Sequence, residues 1–422
     1  MSSLTQPTVD RQKTTFIVKY QCFLAVAAIF VFFIRLDGVL SAYSIGIPLY
    51  WLVGFIFLAI PLYFSIARKI KYLPLSVFVW FSVYLAMTSM AILFMPSPTD
   101  YIQQIMEDQI RSMIFLCLML LIFSEHLLVQ KSTKVAILLA TFFNVCLFLA
   151  QFFDPSILQE IQDVPGRAGG FYIDSNTASC GINLGLIFSI SLIKPKYRLF
   201  YALFTLLGIA VTFSRGGMAC WLLIVILFVV LRVIPRRQFP LLIISVLTSA
   251  TIISTQIDNL AYIKTPSGAE LFNEGTIERI EFLTDPFADD ETQIEAEESD
   301  SRILLIEIGW QKFIRSPWIG SGLGSGSHSG VKPNLGEEPR SHNIYLDRAI
   351  EYGFLGILIY PGLILAAIWK AQGETRKYGV VFAIFMLIWG IFSHTVLSDF
   401  FLLTSTALMA ILSKQSRIEH QS

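Results

Sequence analysis

The chain has 422 residues, of which 55% are hydrophobic and only 15% are charged, and its formal net charge is zero. Soluble domains carry about 25% charged residues, so this composition is typical of a polytopic membrane protein. The lack of a basic domain or stripe argues against a nucleic-acid partner. The five cysteines form no CxxC pair and lie in or beside apolar segments, where they serve as small apolar residues.

Apolar runs long enough to cross a bilayer, roughly 20 residues each, recur along the sequence. The first follows a polar, basic N-terminus without a small-residue cleavage site, so we interpret it as a membrane span and not as a removable signal peptide. The sequence predicts an all-α polytopic membrane protein with about 12 transmembrane helices. The predicted spans are 17–34, 47–67, 74–95, 111–129, 135–153, 177–193, 198–213, 216–233, 239–255, 344–369, 378–393 and 396–413.

The connections between these spans alternate in charge. Every second connection is short and basic, as with Lys194, Lys196 and Arg198 after the sixth span. Because basic loops stay in the cytoplasm, both termini are predicted to be cytoplasmic. The remaining connections face outside and comprise residues 35–46, 96–110, 154–176, 214–215, 256–343 and 394–395.

This topology divides the chain into three parts. Residues 1–255 hold the first nine spans, 256–343 form a large outer loop, and 344–422 hold the last three spans and a cytoplasmic tail.

Short helices are expected within the large loop. Apolar residues between Ser301 and Ser316 recur at helical spacing, and Pro317 ends the pattern. The glycines that follow predict a flexible turn. The acidic stretch 285–300 lacks metal-ligand spacing, so it predicts a solvated loop and no metal site.

Arg215 is conspicuous because it lies in a very tight turn on the predicted outer face. Its guanidinium suits phosphate oxygens, and Gly216 and Gly217 would let a ligand approach closely. An interfacial anchor whose charge reaches toward water is an equally good interpretation.

His342 follows the long loop where the chain returns to the membrane. Its imidazole suits proton transfer near neutral pH, although a lone histidine is more often structural or simply exposed. Taken alone, Arg302 is more typical of a surface ion pair, and so is Arg167, which lies near Asn176.

Further along, Asp347, Arg348 and Glu351 have the helical spacing of a local ion-pair network. His394, near Asp399, either lines a site or caps a helix.

Taken together, these motifs resemble the O-antigen ligase and polymerase family of bacterial envelope proteins. His342-Asn343, followed after nine residues by Gly353-x-x-Gly356, is similar to the family signature. Ser214-Arg215-Gly216 is similar to a second family pattern. A third comprises Ser301-Arg302, Trp310, Pro317 and the run Gly320-x-Gly322-x-Gly324. The segment from Arg167 to Asn176 resembles a further, weaker pattern.

The resemblance implies a metal-independent glycosyltransferase of the lipid-donor (GT-C-like) type that needs no cofactor. Its donor would be a glycan on undecaprenyl diphosphate. Its acceptor would be a sugar hydroxyl on lipid A–core or on another lipid-linked glycan. The enzyme would lie in the bacterial inner membrane, with its active site on the periplasmic face.

The same resemblance implies roles for individual residues. Arg215 and Arg302 would bind the diphosphate, and His342 would act as the general base. Other substrate contacts would come from Arg167, Asn176, Asn343 and Arg340.

Two alternatives stay open. The motifs do not separate a ligase from a repeat-unit polymerase, because both use the same donor and geometry. A transporter or flippase of lipid-linked glycans also fits the multi-span topology. Transporters, however, tend to place polar groups near the middle of the membrane, whereas the notable residues here gather at one face.

Overall fold

The fold is helical throughout the part of the chain that the computed structural model describes, namely residues 16–65, 69–94, 99–162, 167–241, 244, 293–326 and 342–421. A π-helical turn, Ile29–Phe33, continues the first helix, and 3₁₀ turns join several of the others. The α-helices are α1 (Phe16–Ala28), α2 (Leu36–Ala42), α3 (Pro48–Leu58), α4 (Ile60–Tyr63), α5 (Leu75–Phe94), α6 (Thr99–Phe123), α7 (Leu127–Phe153), α8 (Ser175–Ser189), α9 (Arg198–Ala210), α10 (Arg215–Val230), α11 (Gln293–Arg315), α12 (Ile344–Tyr352), α13 (Ile359–Ala367), α14 (Gly373–Phe392) and α15 (Phe400–Gln421).

Several of these helices have the character of membrane spans. Large apolar side chains are exposed along them, among them Val79 and Val83 of α5 and Leu139 and Phe142 of α7. Because soluble proteins rarely expose large apolar patches, this surface faces lipid. The described residues contain four helical segments long and apolar enough to cross a membrane and three shorter apolar ones. The four are Phe16–Phe33, Leu75–Leu93, Leu127–Phe153 and Gly373–Phe392, and the shorter ones are Pro48–Leu58, Arg215–Val230 and Phe354–Ala367.

The chain is therefore an all-α membrane protein, and the higher predicted number of spans stays a prediction. Two predicted spans have different limits in the structure. The span 111–129 corresponds to α6, which begins earlier, at Thr99, and ends at Phe123. The span 344–369 is not continuous, because Gly353 ends α12 and a 3₁₀ turn precedes α13. The span 239–255 lies almost wholly outside the described residues.

The predicted outer loop is described in part, over residues 293–326 and 342–343. The predicted helix between Ser301 and Ser316 is confirmed by α11, which ends at Arg315. The acidic stretch before it is helical from Gln293 onward and not a loop, because it continues the same helix. The division of the chain into three parts stays a prediction.

Helix α8 lies at the centre of the described bundle. Its residues from Ala178 to Ser189 are all buried, and α7, α9, α10 and α14 pack around it. Side chains at two of its positions would collide with neighbours: one at Gly181 with Tyr172, and one at Gly185 with Thr141. Small residues let helices approach closely within a membrane bundle. The close packing fixes the position of the N-terminal end of α8.

The glycine turn, residues 316–326, is docked against α12 rather than flexible. The Ser321 N–H donates to the Ile350 carbonyl at 2.7 Å, and the Phe354 N–H donates to the Pro317 carbonyl at 2.7 Å. The Gly324 N–H donates to the Glu351 carboxylate at 3.1 Å. These bonds require backbone-to-backbone approach, since a Cβ at Gly320 would meet the Glu351 carbonyl. The glycine spacing in the sequence therefore reflects close packing, not mobility.

The polar contacts between helix ends agree with the predicted two-sided topology. The Arg198 guanidinium donates to the Val233 carbonyl at 2.7 Å, and both residues lie at predicted cytoplasmic ends of spans. On the other side, the Ile344 N–H donates to the Ser393 carbonyl at 3.2 Å, next to two predicted outer connections. Each contact joins segments predicted to share a side, and which side is cytoplasmic stays a prediction.

Replacement of Gly353 by alanine is expected to disrupt the docking of the glycine turn. Gly353 has φ +70° and ψ −162°, a region open almost only to glycine, and a Cβ there would meet the Trp318 carbonyl. We expect Gly353→Ala to lower the thermal transition temperature of the detergent-purified protein. Gly54→Ala is the matched control, because a Cβ at Gly54 has nothing within 4 Å. Equal melting of the two variants would contradict the packing role of Gly353.

Candidate active site

The turn before α10 presents Arg215 at the start of a helix. Phe213 adopts a left-handed φ of 50°, and Ser214 caps the helix by accepting the Gly217 N–H at 3.2 Å. Arg215 is exposed, and a Cβ at Gly216 would have open space around it. The free N–H groups and dipole of a helix N-terminus favour an anion. Arg215 therefore adds a cation to an end of a helix that already suits phosphate.

Arg167 and Asn176 hold this turn in place. The Arg167 Nε donates to the Thr212 carbonyl at 3.0 Å, and a terminal guanidinium nitrogen donates to the Asn176 Oδ1 at 3.4 Å. The Ser214 hydroxyl donates to the same Asn176 oxygen at 2.9 Å. Asp174 in turn caps α8 through the Thr177 N–H at 2.7 Å. The described contacts of Arg167 and Asn176 thus position Arg215, and their predicted contact with substrate stays a prediction.

His342 lies directly before α12 and beside a second histidine. It is exposed and has a left-handed φ of 52°, and its ring packs edge-on against that of His394 with centroids 5.0 Å apart. Asn343 caps α12, since its Oδ1 accepts the N–H groups of Tyr345 at 3.0 Å and Leu346 at 3.2 Å. The cap and the docked glycine turn together fix the backbone that carries His342.

An ion pair connects the two groups of residues. Arg35 lies 3.5 Å from Asp399 and also interacts electrostatically with Asp37 and with Asp174, the cap of α8. Asp399 is five residues after His394, and the ring of the adjacent Phe401 packs against Tyr172 at 5.3 Å between centroids. Arg167, Asn176 and Arg215 therefore lie at the same end of the bundle as His342 and His394.

Asp37 is the acid outside the spans whose pKa is shifted most among the residues that the structure describes. It is 6% exposed, and burial raises its pKa to about 6, against the opposing effect of the Arg35 charge. The nearby Asp399 charge raises it further.

Two adjoining cavities form a polar crevice at this end of the bundle. One, of about 260 Å³, is lined by Arg35, Asp37, Arg111 and Asp399. The other, of about 80 Å³, is lined by Arg348, Glu351 and His394. Both share Asp108, Ser112 and Ser398. Carboxylates, guanidinium groups and hydroxyls are suited to hydrogen bonds with sugar hydroxyls, and the crevice reaches His394, whose ring packs against His342.

The remaining predicted site residues are only partly placed. Arg302 lies in α11, but the structure does not describe its side chain. Arg340 lies outside the described residues. The predicted ion-pair network in α12 is confirmed for Arg348 and Glu351, which contact each other. Arg35, Asp37, Asp108 and Arg111 line the crevice although sequence reasoning did not select them. The available signal was their charge at the outer ends of apolar runs, where ionisable residues are often functional.

Among the described residues, no group of three or more histidine, cysteine or acidic side chains is arranged to hold a metal ion. Metal independence stays a prediction.

A buried helical core, lipid-facing helices and a polar crevice at one end define a multi-pass membrane protein with a candidate site at the membrane boundary. Residues 200–360 match the family model described as O-antigen ligase, so this part of the chain is similar to that family. The match confirms the predicted resemblance and includes Arg215, Arg302 and His342. The match indicates a membrane enzyme of glycan synthesis, of the ligase or polymerase type. No curated protein matches the chain.

Substitutions at Asn343 separate its capping role from direct binding of substrate. Asn343→Ala removes the cap and is expected to cost about 1 kcal/mol of stability. Asn343→Ser retains a capping oxygen and lacks the amide. We therefore expect thermal stability and surface glycan in Asn343→Ser to be closer to wild type than in Asn343→Ala. Restored stability without restored glycan would instead show that the Asn343 amide contacts substrate.

The raised pKa of Asp37 predicts a pH-dependent stability. Between about pH 4 and pH 6 the folded protein keeps a proton that the unfolded chain releases, so the free energy of unfolding falls as pH rises through this window. The full effect is on the order of 3 kcal/mol, since one pKa unit corresponds to about 1.4 kcal/mol. Asp37→Asn should therefore raise the transition temperature more at pH 7 than at pH 4. The exposed Asp154, changed to Asn, serves as the control. A gain independent of pH would contradict the assignment.

Proposed function

We propose that the protein transfers a glycan from undecaprenyl diphosphate to an acceptor sugar hydroxyl at the periplasmic face of the bacterial inner membrane. The match of residues 200–360 to the O-antigen ligase family is the observation that supports this most directly, because it contains both Arg215 and His342. The product is a ligated surface polysaccharide on lipid A–core or, in a polymerase, a longer lipid-linked chain.

In this proposal Arg215 binds the donor diphosphate. Its exposure at the N-terminus of α10 supports the role, as does the open space at Gly216. A guanidinium can hold two phosphate oxygens at once, and negative charge grows on the diphosphate as its bond to the sugar breaks. A fixed donor of this kind can stabilise the transition state by about 3 kcal/mol. Arg302 provides a second cation, and Arg340 a further contact with substrate.

His342 is the proposed general base. The acceptor hydroxyl oxygen forms a bond with the anomeric carbon of the donor sugar, while the bond from that carbon to the diphosphate oxygen breaks. The hydroxyl proton passes to His342, and undecaprenyl diphosphate leaves with the electron pair. The step needs no metal, because the arginines offset the charge of the leaving group. Proton transfer by a positioned base typically contributes about 10²–10⁴-fold.

The polar crevice is the proposed place of the acceptor saccharide. It includes His394, whose ring contacts that of His342. A sugar held in the crevice would present a hydroxyl to His342. Asn343, Arg167 and Asn176 keep the two catalytic groups in position, in addition to any contact of their own with substrate.

The proposal is tested in a deletion strain complemented with wild type, His342→Ala or Arg215→Ala. Both variants should insert normally and lose long-chain surface glycan, because one lacks the base and the other the diphosphate contact. The measurement is a gel of lipopolysaccharide beside the extracted lipid-linked glycans. Bare core with accumulated long lipid-linked polymer identifies a ligase, whereas core with a single repeat identifies a polymerase.

His420→Ala is the matched control for this experiment. His420 lies near the end of α15, where its ring hydrogen-bonds the Ser416 carbonyl at 3.0 Å, and its replacement should leave the glycan unchanged. Normal glycan in His342→Ala would remove His342 from the mechanism. Transport of lipid-linked glycan into vesicles by the purified protein, without glycosidic bond formation, would favour a flippase.

A further inference from the structure

A long groove on the outside of the bundle ends in a cluster of cations. It has a volume of about 1020 Å³ and runs between α5 and the segment 355–370. Its walls are apolar and exposed, with Leu75 70%, Val79 56% and Leu365 53% exposed. Lys370, Lys414 and Arg417 line the groove at one end, and no Asp or Glu lines it among the described residues.

The floor of the groove is fixed by side-chain bonds between α5 and α13. The Ser76 hydroxyl donates to the Ala366 carbonyl at 2.6 Å, and the Trp80 indole N–H donates to the Ile359 carbonyl at 2.7 Å. A Cβ at Gly362 would approach the Trp80 ring to 3.1 Å, so a larger residue would crowd this contact. The groove is therefore preformed, with an apolar wall on each side.

The cationic end is assembled from two separate elements. Lys370 follows α13, whereas Lys414 and Arg417 lie on α15. The Gln372 N–H donates to the Ser416 hydroxyl at 3.0 Å, which holds these elements together. Partial burial, together with the Arg417 charge, lowers the pKa of Lys414. An anion between the cations would relieve this repulsion, and the groove lining offers none.

We propose that this groove binds one anionic glycerophospholipid. Its phosphate lies among Lys370, Lys414 and Arg417, and an acyl chain lies along Val79, Val83 and Leu365. Cations at the membrane surface attract anionic lipids, each contributing about 1 kcal/mol, and the apolar wall gives the chain a fixed place. Trp369 beside Lys370 is an aromatic residue of the kind found at the membrane interface.

The site is distinct from that of glycan transfer. Lys370, Lys414 and Arg417 belong to connections predicted to be cytoplasmic, whereas Arg215, His342 and the crevice belong to the predicted outer side. The bound lipid would fix α13 and α15 against α5 from the opposite leaflet. Its detection does not require the proposed transfer activity, so the two proposals can fail independently.

The test measures lipid binding to the full chain, purified in detergent and freed of lipid. Native mass spectrometry follows the titration with phosphatidylglycerol or with neutral phosphatidylcholine. We expect one tightly bound phosphatidylglycerol, and about 30-fold weaker binding to Lys414→Gln/Arg417→Gln, since two cations contribute about 1 kcal/mol each. The control Arg236→Gln/Arg237→Gln removes two exposed cations from another predicted cytoplasmic turn and should bind as wild type does.

A second pair of variants tests the apolar wall without changing charge. Leu365→Trp should obstruct the groove and weaken binding about tenfold. Leu222→Trp, at an exposed position of α10, should not. Equal affinity for the two phospholipids, or equal loss in the Lys414/Arg417 variant and its control, would overturn the proposal. Displacement of the phospholipid by undecaprenyl phosphate would also overturn it, because the groove would then hold the polyprenyl chain.

Discussion

The burial of α8 is the constraint on which the described structure depends. From Ala178 to Ser189 the helix has no exposed residue, so its polar side chains must find partners inside the bundle. Asn183 donates to the Gly217 carbonyl at 3.0 Å, and the Ser179 hydroxyl donates to the Ser214 hydroxyl at 3.2 Å. These bonds tie α8 to the first turn of α10. The helix that fills the core thereby also fixes the turn that carries Arg215.

Helix caps extend this constraint to the rest of the candidate site. Asp174, Ser214 and Asn343 each accept backbone N–H groups at the start of a helix. Arg215 and His342 lie next to two of these caps, so their backbone positions are set by bonds that need no substrate. Such preorganisation matters for catalysis, because donors that are already oriented need not reorganise as charge develops. The exposed side chains remain able to meet a substrate that arrives from the membrane.

The two ends of the bundle differ in their chemistry. At one end, acidic, basic and hydroxyl groups surround the polar crevice, and Arg35 offsets the charge of Asp399 at 3.5 Å. At the other end, cations terminate an apolar groove whose lining, among the described residues, includes no Asp or Glu. A mixed set of polar groups suits a saccharide, whereas cations beside an apolar wall suit a phospholipid. Both arrangements are consistent with an enzyme whose substrates are carried on lipid.

The sequence by itself determined the all-α membrane class and the family resemblance, because apolar runs and short motifs are local. It also indicated Arg215 and His342, whose neighbours along the chain resemble family patterns.

Tertiary structure decided what those neighbours do. The glycines predicted to be flexible permit close contact with α12. Asn343 accepts backbone N–H groups of α12, and Asn176 accepts the Ser214 hydroxyl. Lys69, which follows the second predicted span, is fully buried against Gln21 and Glu125 at 2.7 and 3.4 Å. Arg35 and Asp37 are far from Asp399 in the chain, and only the packing of the first and last helices brings them together. Local patterns specify which helices form, but the partner of a buried polar group depends on long-range packing.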